Sequence, residues 1–360
     1  MMRRVRAFAW LALIGWVSAA AAQSPTAPDW GRRTAEAVQT LQSWYDPGTG
    51  LYRTTGWWNS ANAITTLADY ANAIRSKRFN GVFANTFKAA QRQAPGFIND
   101  YYDDEGWWAL AWIDVYDRTH KRRYLNMAES IFANMSGGWS QTCGGGIWWS
   151  RKRKYKNAIA NELFLSVAAH LAQRAATAEE RARYLAWAQR EWQWFSASGM
   201  INGDHLVNDG LTSTCENNHD TTWTYNQGVI VGGLAELDRT EHDPTLLAEA
   251  TSIAEAALAA PGLRNASGIL HEPCEPKCGG DGSQFKGIFV RNLRTLDEVA
   301  PKAEYREFVL ANAASLWMGA QPPGKRLGLM WAAPYGPANA STQSSALDVL
   351  VTAMELERGR

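Results

Sequence analysis

The chain has 360 residues, of which 46% are apolar, enough for a large core and too many for a wholly disordered polypeptide. Lys and Arg number 36 and Asp and Glu 35, a formal charge of +1 that gives no electrostatic reason to expect nucleic acid or an anionic membrane as the partner. Tryptophan is the outlier at 18 residues; its flat apolar face and polar edge fill cores and also stack on sugar rings.

Taken in chain order, the first signal is an address. Arg3, Arg4 and Arg6 precede the apolar run AFAWLALIGWVSAAAA, which ends in small residues before Gln23. This is the pattern of a secretory signal peptide over 1–22, cleaved after Ala22 to leave a single domain over 23–360. The run is too short for a membrane span, and no second stretch of about 20 apolar residues follows. The C-terminal AMELERGR is charged and lacks the hydrophobic tail of a lipid-anchor signal. The mature chain is therefore expected to be secreted, extracellular or periplasmic, without membrane contact.

The remainder reads as pairs of helices with no useful β-alternation. The first members are amphipathic and charged, over roughly 29–44, 80–93, 121–135, 178–195, 243–259 and 301–317. The second members are apolar nearly all round, over about 59–74, 106–118, 156–172, 226–238, 286–297 and 342–356. A polar face on one set and none on the other predicts outer and inner helices. Repetition of one helical unit without distinct polar caps favours a closed ring over an open solenoid. The expected fold is all-α, an (α/α)6 toroid of six inner and six outer helices.

In such a ring the segments entering the inner helices share one rim. They are GWWNS (56–60), YYDDEGWW (101–108), CGGGIWW (143–149), HDTTWTYNQG (219–228), GGDGSQFKG (279–287) and WAAPYGPANAS (331–341). Aromatics, amides and carboxylates thus converge on one cleft, the usual place for a ligand. Trp57, Trp58, Trp107, Trp108, Trp148, Trp149 and Trp223 are candidate stacking platforms, with one ring of each pair expected to be buried. Asn59, Asn62, Asp220, Tyr225, Asn226 and Gln227 offer donors and acceptors for hydroxyl groups, although any one amide serves as readily to satisfy a loop. Lys286 either binds substrate or neutralises a carboxylate.

Four cysteines in an exported chain imply disulfides, with three connectivities open. CEPKC is a tight loop around Pro276, which favours Cys274–Cys278 and hence Cys143–Cys215. The triplets at Asn134, Asn265 and Asn339 permit N-glycosylation in a eukaryotic host. Other motifs carry less. RKRKYK (151–156) reads as a solvated basic loop, and CGGG lacks the GK[ST] of a phosphate loop. The histidines show no HExxH spacing, and NGDHLVNDG lacks the EF-hand order. No metal or cofactor is expected.

The chemistry centres on Asp103 and Asp104. Acidic residues before a helical run ordinarily cap N–H groups and complement the macrodipole, worth about 0.3–1 kcal/mol. That accounts for one aspartate but not for the flanking aromatics, Tyr101, Tyr102, Trp107 and Trp108. Two carboxyl groups held in different protonation states perform glycoside hydrolysis, one as nucleophile or base and one as acid. Adjacent residues favour the short separation of a retaining mechanism, yet side chains at successive positions diverge, so spacing alone leaves the stereochemistry open.

YYDDEGWWALAWIDVY resembles the aspartate-pair motif of glycoside hydrolase family 76, the α-1,6-mannanases and their fungal cell-wall relatives. WWNSANAITTLADY, CGGGIWW with YKNAIANELF, TYNQGVIVGGLAEL and SQFKGIFVRNL are similar to further motifs of that family, in the same order. The resemblance implies an (α/α)6 toroid and a retaining endo-acting enzyme on α-1,6-linked mannan, working as a monomer. It implies Asp103 as nucleophile and Asp104 as acid/base. The substrate-contacting set it suggests is Trp58, Asn59, Asn62, Tyr102, Trp107, Trp148, Asp220, Tyr225, Asn226, Gln227 and Lys286. Two rivals stand beside this reading: a transglycosidase using the same pair, and a mannan-binding protein without catalysis.

Overall fold

The computed structural model describes residues 29–359, so the signal-peptide segment 1–22 lies outside the described residues. Twelve α-helices alternate between two layers. The outer helices are α1 (Trp30–Gln42), α3 (Asn80–Ala89), α5 (Arg122–Ser136), α7 (Ala178–Ala197), α9 (Pro244–Ala259) and α11 (Ala303–Met318). The inner helices are α2 (Trp57–Ala73), α4 (Tyr102–Thr119), α6 (Ala158–Arg174), α8 (Thr224–Glu241), α10 (Phe285–Val299) and α12 (Ala340–Glu357). α2 packs on α4, and the sequence of contacts runs through α6, α8, α10 and α12 back to α2, closing the ring. The protein is an (α/α)6 toroid.

Burial patterns explain the layers. On α5 the buried residues are Tyr124, Leu125, Ala128, Ile131, Phe132 and Met135, one stripe at helical spacing. Arg122 and Glu129 pair on its outer face at 2.8 Å. In α8 every residue from Thr224 to Asp238 is buried, which requires partners on all sides and fixes it in the inner ring. Removing one large apolar side chain of this kind from water is worth roughly 1.5–3 kcal/mol. Two glycines set how closely the inner helices approach. A Cβ on Gly228 of α8 would stand 2.6 Å from Phe289 Cα of α10, and one on Gly287 would strike the Ser345 backbone of α12.

Five of the six outer-to-inner connections fold as small hairpins. Between α1 and α2 the strands β1 (Tyr45–Asp46) and β2 (Leu51–Tyr52) pair antiparallel. Single bridges do the same at Trp139–Ile147, Ile201–Val207, Arg264–Leu270 and Gln321–Arg326. In four of the five the fourth residue of the following inner helix then clamps the hairpin, and in the fifth Leu270 N donates to Asn312 of α11 at 2.9 Å. Asn161 accepts from Ile147 N and donates to Ile147 O (2.7 and 3.1 Å). Gln227 does the same to Val207 (2.8 and 2.9 Å). Gln343 accepts from Leu327 N at 2.9 Å, and Ser60 from Tyr52 N at 3.2 Å. These buried backbone groups would otherwise be unpaired, so the clamp fixes each rim loop to its helix. Disulfide Cys143–Cys215 joins the α5–α6 and α7–α8 loops, and Cys274–Cys278 closes a turn within the α9–α10 loop.

Candidate active site

Asp103 and Asp104 are the second and third residues of α4, inside the helix rather than ahead of it. Tyr101, the N-cap, is extended and bridges to Ser150, and the Tyr102 N–H donates to Trp149 O at 2.9 Å. That stitch brings the Trp149 indole onto the pair: its Nε1–H donates to Asp103 Oδ2 at 3.0 Å. Asp104 Oδ2 accepts from Asn99 Nδ2 at 2.5 Å. First-turn N–H groups also favour the ionised form of Asp103, so the helix-terminus reading is part of the answer. Each carboxylate nonetheless has its own partner from outside the helix.

Burial raises the proton affinity of both carboxyls above the ordinary range, and the charge of Asp104 raises that of Asp103 further. Trp149 and Asn99 oppose this by hydrogen-bonding the ionised forms. Asp103, the more deeply buried and next to the Asp104 charge, is pushed up to about 8 and Asp104 to about 6, and groups so close titrate as a unit. Near neutral pH the two side chains therefore hold one proton between them. One carboxylate and one carboxylic acid, side by side, are what acid-assisted displacement at a sugar carbon needs.

Aromatic rings wall the pair. Trp58 stacks on Trp107 (centroids 5.6 Å apart) and on Phe285 (6.3 Å), and Tyr225 lies flat on Phe285 at 3.8 Å. On the other side Trp149 packs between Tyr101 (5.0 Å) and Tyr155 (6.2 Å). The Tyr155 hydroxyl donates to Asp209 at 2.5 Å and accepts from Asn218 at 3.0 Å. The Trp58 Nε1–H donates to Asp281 Oδ1 at 2.9 Å. Half-buried Trp58, Trp149 and Trp223 and the exposed Asp281 and Asp220 are thus the rim's accessible groups.

Several expected contact residues are scaffold. Tyr102 is buried beneath the Arg151 guanidinium, 4.8 Å from its ring. Asn62 accepts from Arg291 at 2.7 Å inside the ring. Gln227 is wholly occupied by its hairpin clamp. Lys286 is buried against Glu275, with Leu329 O at 2.8 Å and the Trp331 ring at 4.6 Å, so it neutralises a carboxylate. Trp148 lies over Lys156 at 5.0 Å, and Trp149 is the ring that reaches the pair. Trp107 is buried as the support of Trp58, and Trp108 stacks on Trp112 in the core at 5.7 Å. Asn59 Nδ2 and both amide atoms of Asn226 carry no hydrogen bond within the protein. Asp220 Oδ1 accepts from Thr221 N at 2.7 Å. Sequence reasoning passed over Asn99, Tyr155, Asp209 and Asp281; the last stood in a quoted rim motif, and only its contact with Trp58, 223 residues away, distinguishes it.

Comparison with known proteins agrees with this fold. The mannan endo-1,6-alpha-mannosidase DFG5 of Candida albicans is 28% identical over 82% of this chain and 71% of its own. The Lin0763 protein from Listeria innocua superposes with a TM-score of 0.82 at 27% identity, over 92% of this chain and 99% of that one. The α-1,6-mannanase GH76A from Salegentibacter sp. HEL1_6 does so with a TM-score of 0.81 at 25% identity, over 91% and 99%. An inactive variant of that enzyme, with two consecutive aspartates replaced by alanine, is in complex with α-1,6-mannotetrose. The sequence model of Glycosyl hydrolase family 76 matches residues 29–359. This glycoside hydrolase belongs to Glycosyl hydrolase family 76.

Proposed function

We propose that the protein is an exported, retaining endo-α-1,6-mannanase whose mature domain, 23–360, acts on α-mannan without a cofactor. The observation that carries the reading is the adjacent, separately hydrogen-bonded Asp103–Asp104 pair within an aromatic wall. Asp103, in its ionised form and held by Trp149, attacks the anomeric carbon and breaks the glycosidic bond. Asp104 delivers its proton to the departing oxygen. Asp104 then takes a proton from water, whose oxygen displaces Asp103 and returns both groups to their starting states. The half-buried Trp58 offers a flat face to a sugar ring, and the exposed Asp220 offers an acceptor for hydroxyls. The names of the Candida and Salegentibacter relatives support the linkage.

The test is incubation of the mature protein with linear α-1,6-mannan, sizing products over time and following the anomer released by NMR. A spread of short oligosaccharides of retained configuration is expected. Asp103→Asn and Asp104→Asn should each lower turnover by about 10²–10⁴-fold, the range for removal of an acid–base group, with the fold intact. Near-normal cleavage by either variant removes the mechanism. Longer products without new reducing ends would make the enzyme a transferase, and saturable binding alone would make it a mannan-binding protein.

A further inference from the structure

The CGGG turn (143–146) and Lys156 have no part in the steps above, yet each is built around the other. Lys156 ends the basic run 151–156 that reads as solvated, but unlike the exposed Lys152, Arg153 and Lys154 it is buried, 2% exposed. Its ammonium Nζ donates to four backbone carbonyls of one loop: Thr142 O at 2.7 Å, Gly146 O at 2.9 Å, Ser140 O at 3.3 Å, and Gly145 O. The Trp148 and Trp194 rings close the site at 5.0 and 5.4 Å. An ammonium has only three hydrogens, so four converging oxygens surround it as they would a bare monovalent cation.

The loop is shaped for this. Cys143, Gly144 and Gly146 take φ of 57, 79 and 80°, which turns carbonyls toward the lysine, and the glycines adopt that backbone without strain. A Cβ on Gly146 would stand 2.3 Å from the Trp194 ring, whose Nε1–H donates to Cys143 O at 2.8 Å. The carboxyl whose charge bears on the ammonium is Glu191, one turn before Trp194 on the same face of α7. Glu191 is buried, makes no hydrogen bond within the protein, and burial pushes its proton affinity well above the ordinary range. Carbonyls rather than an ion pair therefore hold the charge. Burial lowers the Lys156 ammonium only to about 8, so it is protonated at neutral pH.

The caged loop leads directly into Trp149. Ser140 N donates to Gly146 O at 3.2 Å and Trp148 N to Gly138 O at 3.1 Å, which sets the strand leaving the cage. Tyr155, the residue before Lys156, accepts the Trp149 N–H at 2.8 Å, and its ring packs on the Trp149 indole. The lysine thus pins the segment that enters Trp149 to the segment that returns from it. The indole so held reaches Asp103 at 3.0 Å.

We propose that the carbonyls of Ser140, Thr142, Gly145 and Gly146 form a cation site filled by the chain's own Lys156 ammonium, and that the cation there positions Trp149 on Asp103. Lys156 is a positioning residue, since it acts through Trp149. The inference rests on the role given to Asp103 above and adds a site of defined ligand class. With the lysine side chain cut back, the cage should accept a primary alkylammonium ion.

The experiment uses the full mature chain. With ¹⁵N-labelled lysine, the wild type should show one ammonium resonance in slow exchange with water, coupled through its hydrogen bonds to the carbonyl carbons of Thr142 and Gly146. Lys156→Met keeps the length of the side chain and removes the charge; Lys156→Ala opens a space the size of propylammonium. The Trp149 indole ¹H–¹⁵N resonance should move in both variants, while that of Trp58, on the opposite wall, holds. On an α-1,6-mannooligosaccharide, kcat should fall about tenfold in Lys156→Met, the loss expected of the Trp149 bond alone, with KM little changed. Propylammonium chloride should restore the Trp149 resonance and most of kcat in Lys156→Ala and do nothing for Lys156→Met. Propan-1-ol, of the same length without charge, should restore neither variant. A Trp149 resonance unmoved in Lys156→Met overturns the proposal. So does a Lys156→Ala variant that ignores propylammonium or responds equally to propan-1-ol. Should the variants fail to fold, the wild type decides: a rapidly exchanging Lys156 ammonium without coupling to those carbonyls rules the cage out. Spectra that behave as expected in a protein that cleaves no mannan would leave the cage in place and remove the reaction instead.

Discussion

Trp149→Phe isolates one hydrogen bond at Asp103. The indole N–H reaches Asp103 Oδ2 at 3.0 Å, while the ring is packed between Tyr101 and Tyr155. Phenylalanine keeps that packing and deletes the donor. A hydrogen bond to a charged group contributes about 1.5–3 kcal/mol, and a half-buried acceptor points to the lower end. At about 1.4 kcal/mol per pH unit this corresponds to roughly one unit in proton affinity. The sign follows from which form is bonded: Trp149 stabilises ionised Asp103, so its loss raises the proton affinity of Asp103, the group held at about 8. The limb of kcat/KM near 8 should move up by about one unit while the limb near 6, where Asp104 lies, stays. Ionised Asp103 becomes rarer at the optimum, and turnover there drops about tenfold, the rate equivalent of the same energy. The assay is kcat/KM against pH on an α-1,6-mannooligosaccharide, with circular dichroism to confirm the fold. A variant with an unmoved upper limb and a rate within twofold of wild type would show that Trp149 is packing only, and that burial and Asp104 alone set the state of Asp103.

Gln227→Leu should destabilise by about 2–5 kcal/mol in urea unfolding, because it leaves both Val207 backbone groups buried and unpaired at about 1–3 kcal/mol each; a loss below about 1 kcal/mol would mean the hairpin does not depend on the clamp. Replacing Cys143 and Cys215 together by alanine opens a loop with a sequence separation of 72 and should cost about 4 kcal/mol on the chain-entropy relation. The same change at Cys274 and Cys278, separated by 4, should cost about half as much, and equal losses would refute that ordering. Lys286→Met leaves buried Glu275 with His271 and the Glu272 N–H alone and should cost about 3 kcal/mol, the lower end for removing one partner of a buried pair, most of it recovered by adding Glu275→Gln. Denaturation of the single and double variants measures the recovery.

The helix pairs were legible because burial on one face or on all faces leaves a period in the sequence, and most limits fall within a few residues of those expected. α4 is the instructive difference. It begins at Tyr102, four residues before the expected start, because pairing of Tyr101 with Ser150 settles where the extended chain stops. The aspartate pair was legible as two like charges without a local reason. Its partner Trp149 was not, since the pairing of Tyr101 with Ser150 is what brings that ring to Asp103. Amides misled for a physical reason: an Asn or Gln at the start of an inner helix has the same donors and acceptors whether it meets a sugar or a backbone, and Gln227 meets a backbone. Most tryptophans proved architectural for a similar reason, because rings such as Trp108 and Trp112 fill the space between layers.

Closure of the ring sets an order of assembly. α12 lies between α2 and α10 and also covers α1, where Thr34 Oγ1 donates to Leu350 O at 3.0 Å and the Glu357 carboxylate caps the N–H groups of Trp30 and Gly31 at 3.3 Å. The partner of the ring's first helix is thus its last, 316 residues on at that hydrogen bond, and contacts of such long range form late and slowly. A chain emerging from the ribosome can build helix pairs one at a time, but it has an open seam until α12 arrives. Removal of α12 should therefore leave a ring that cannot close, whatever the state of the Asp103–Asp104 pair on α4.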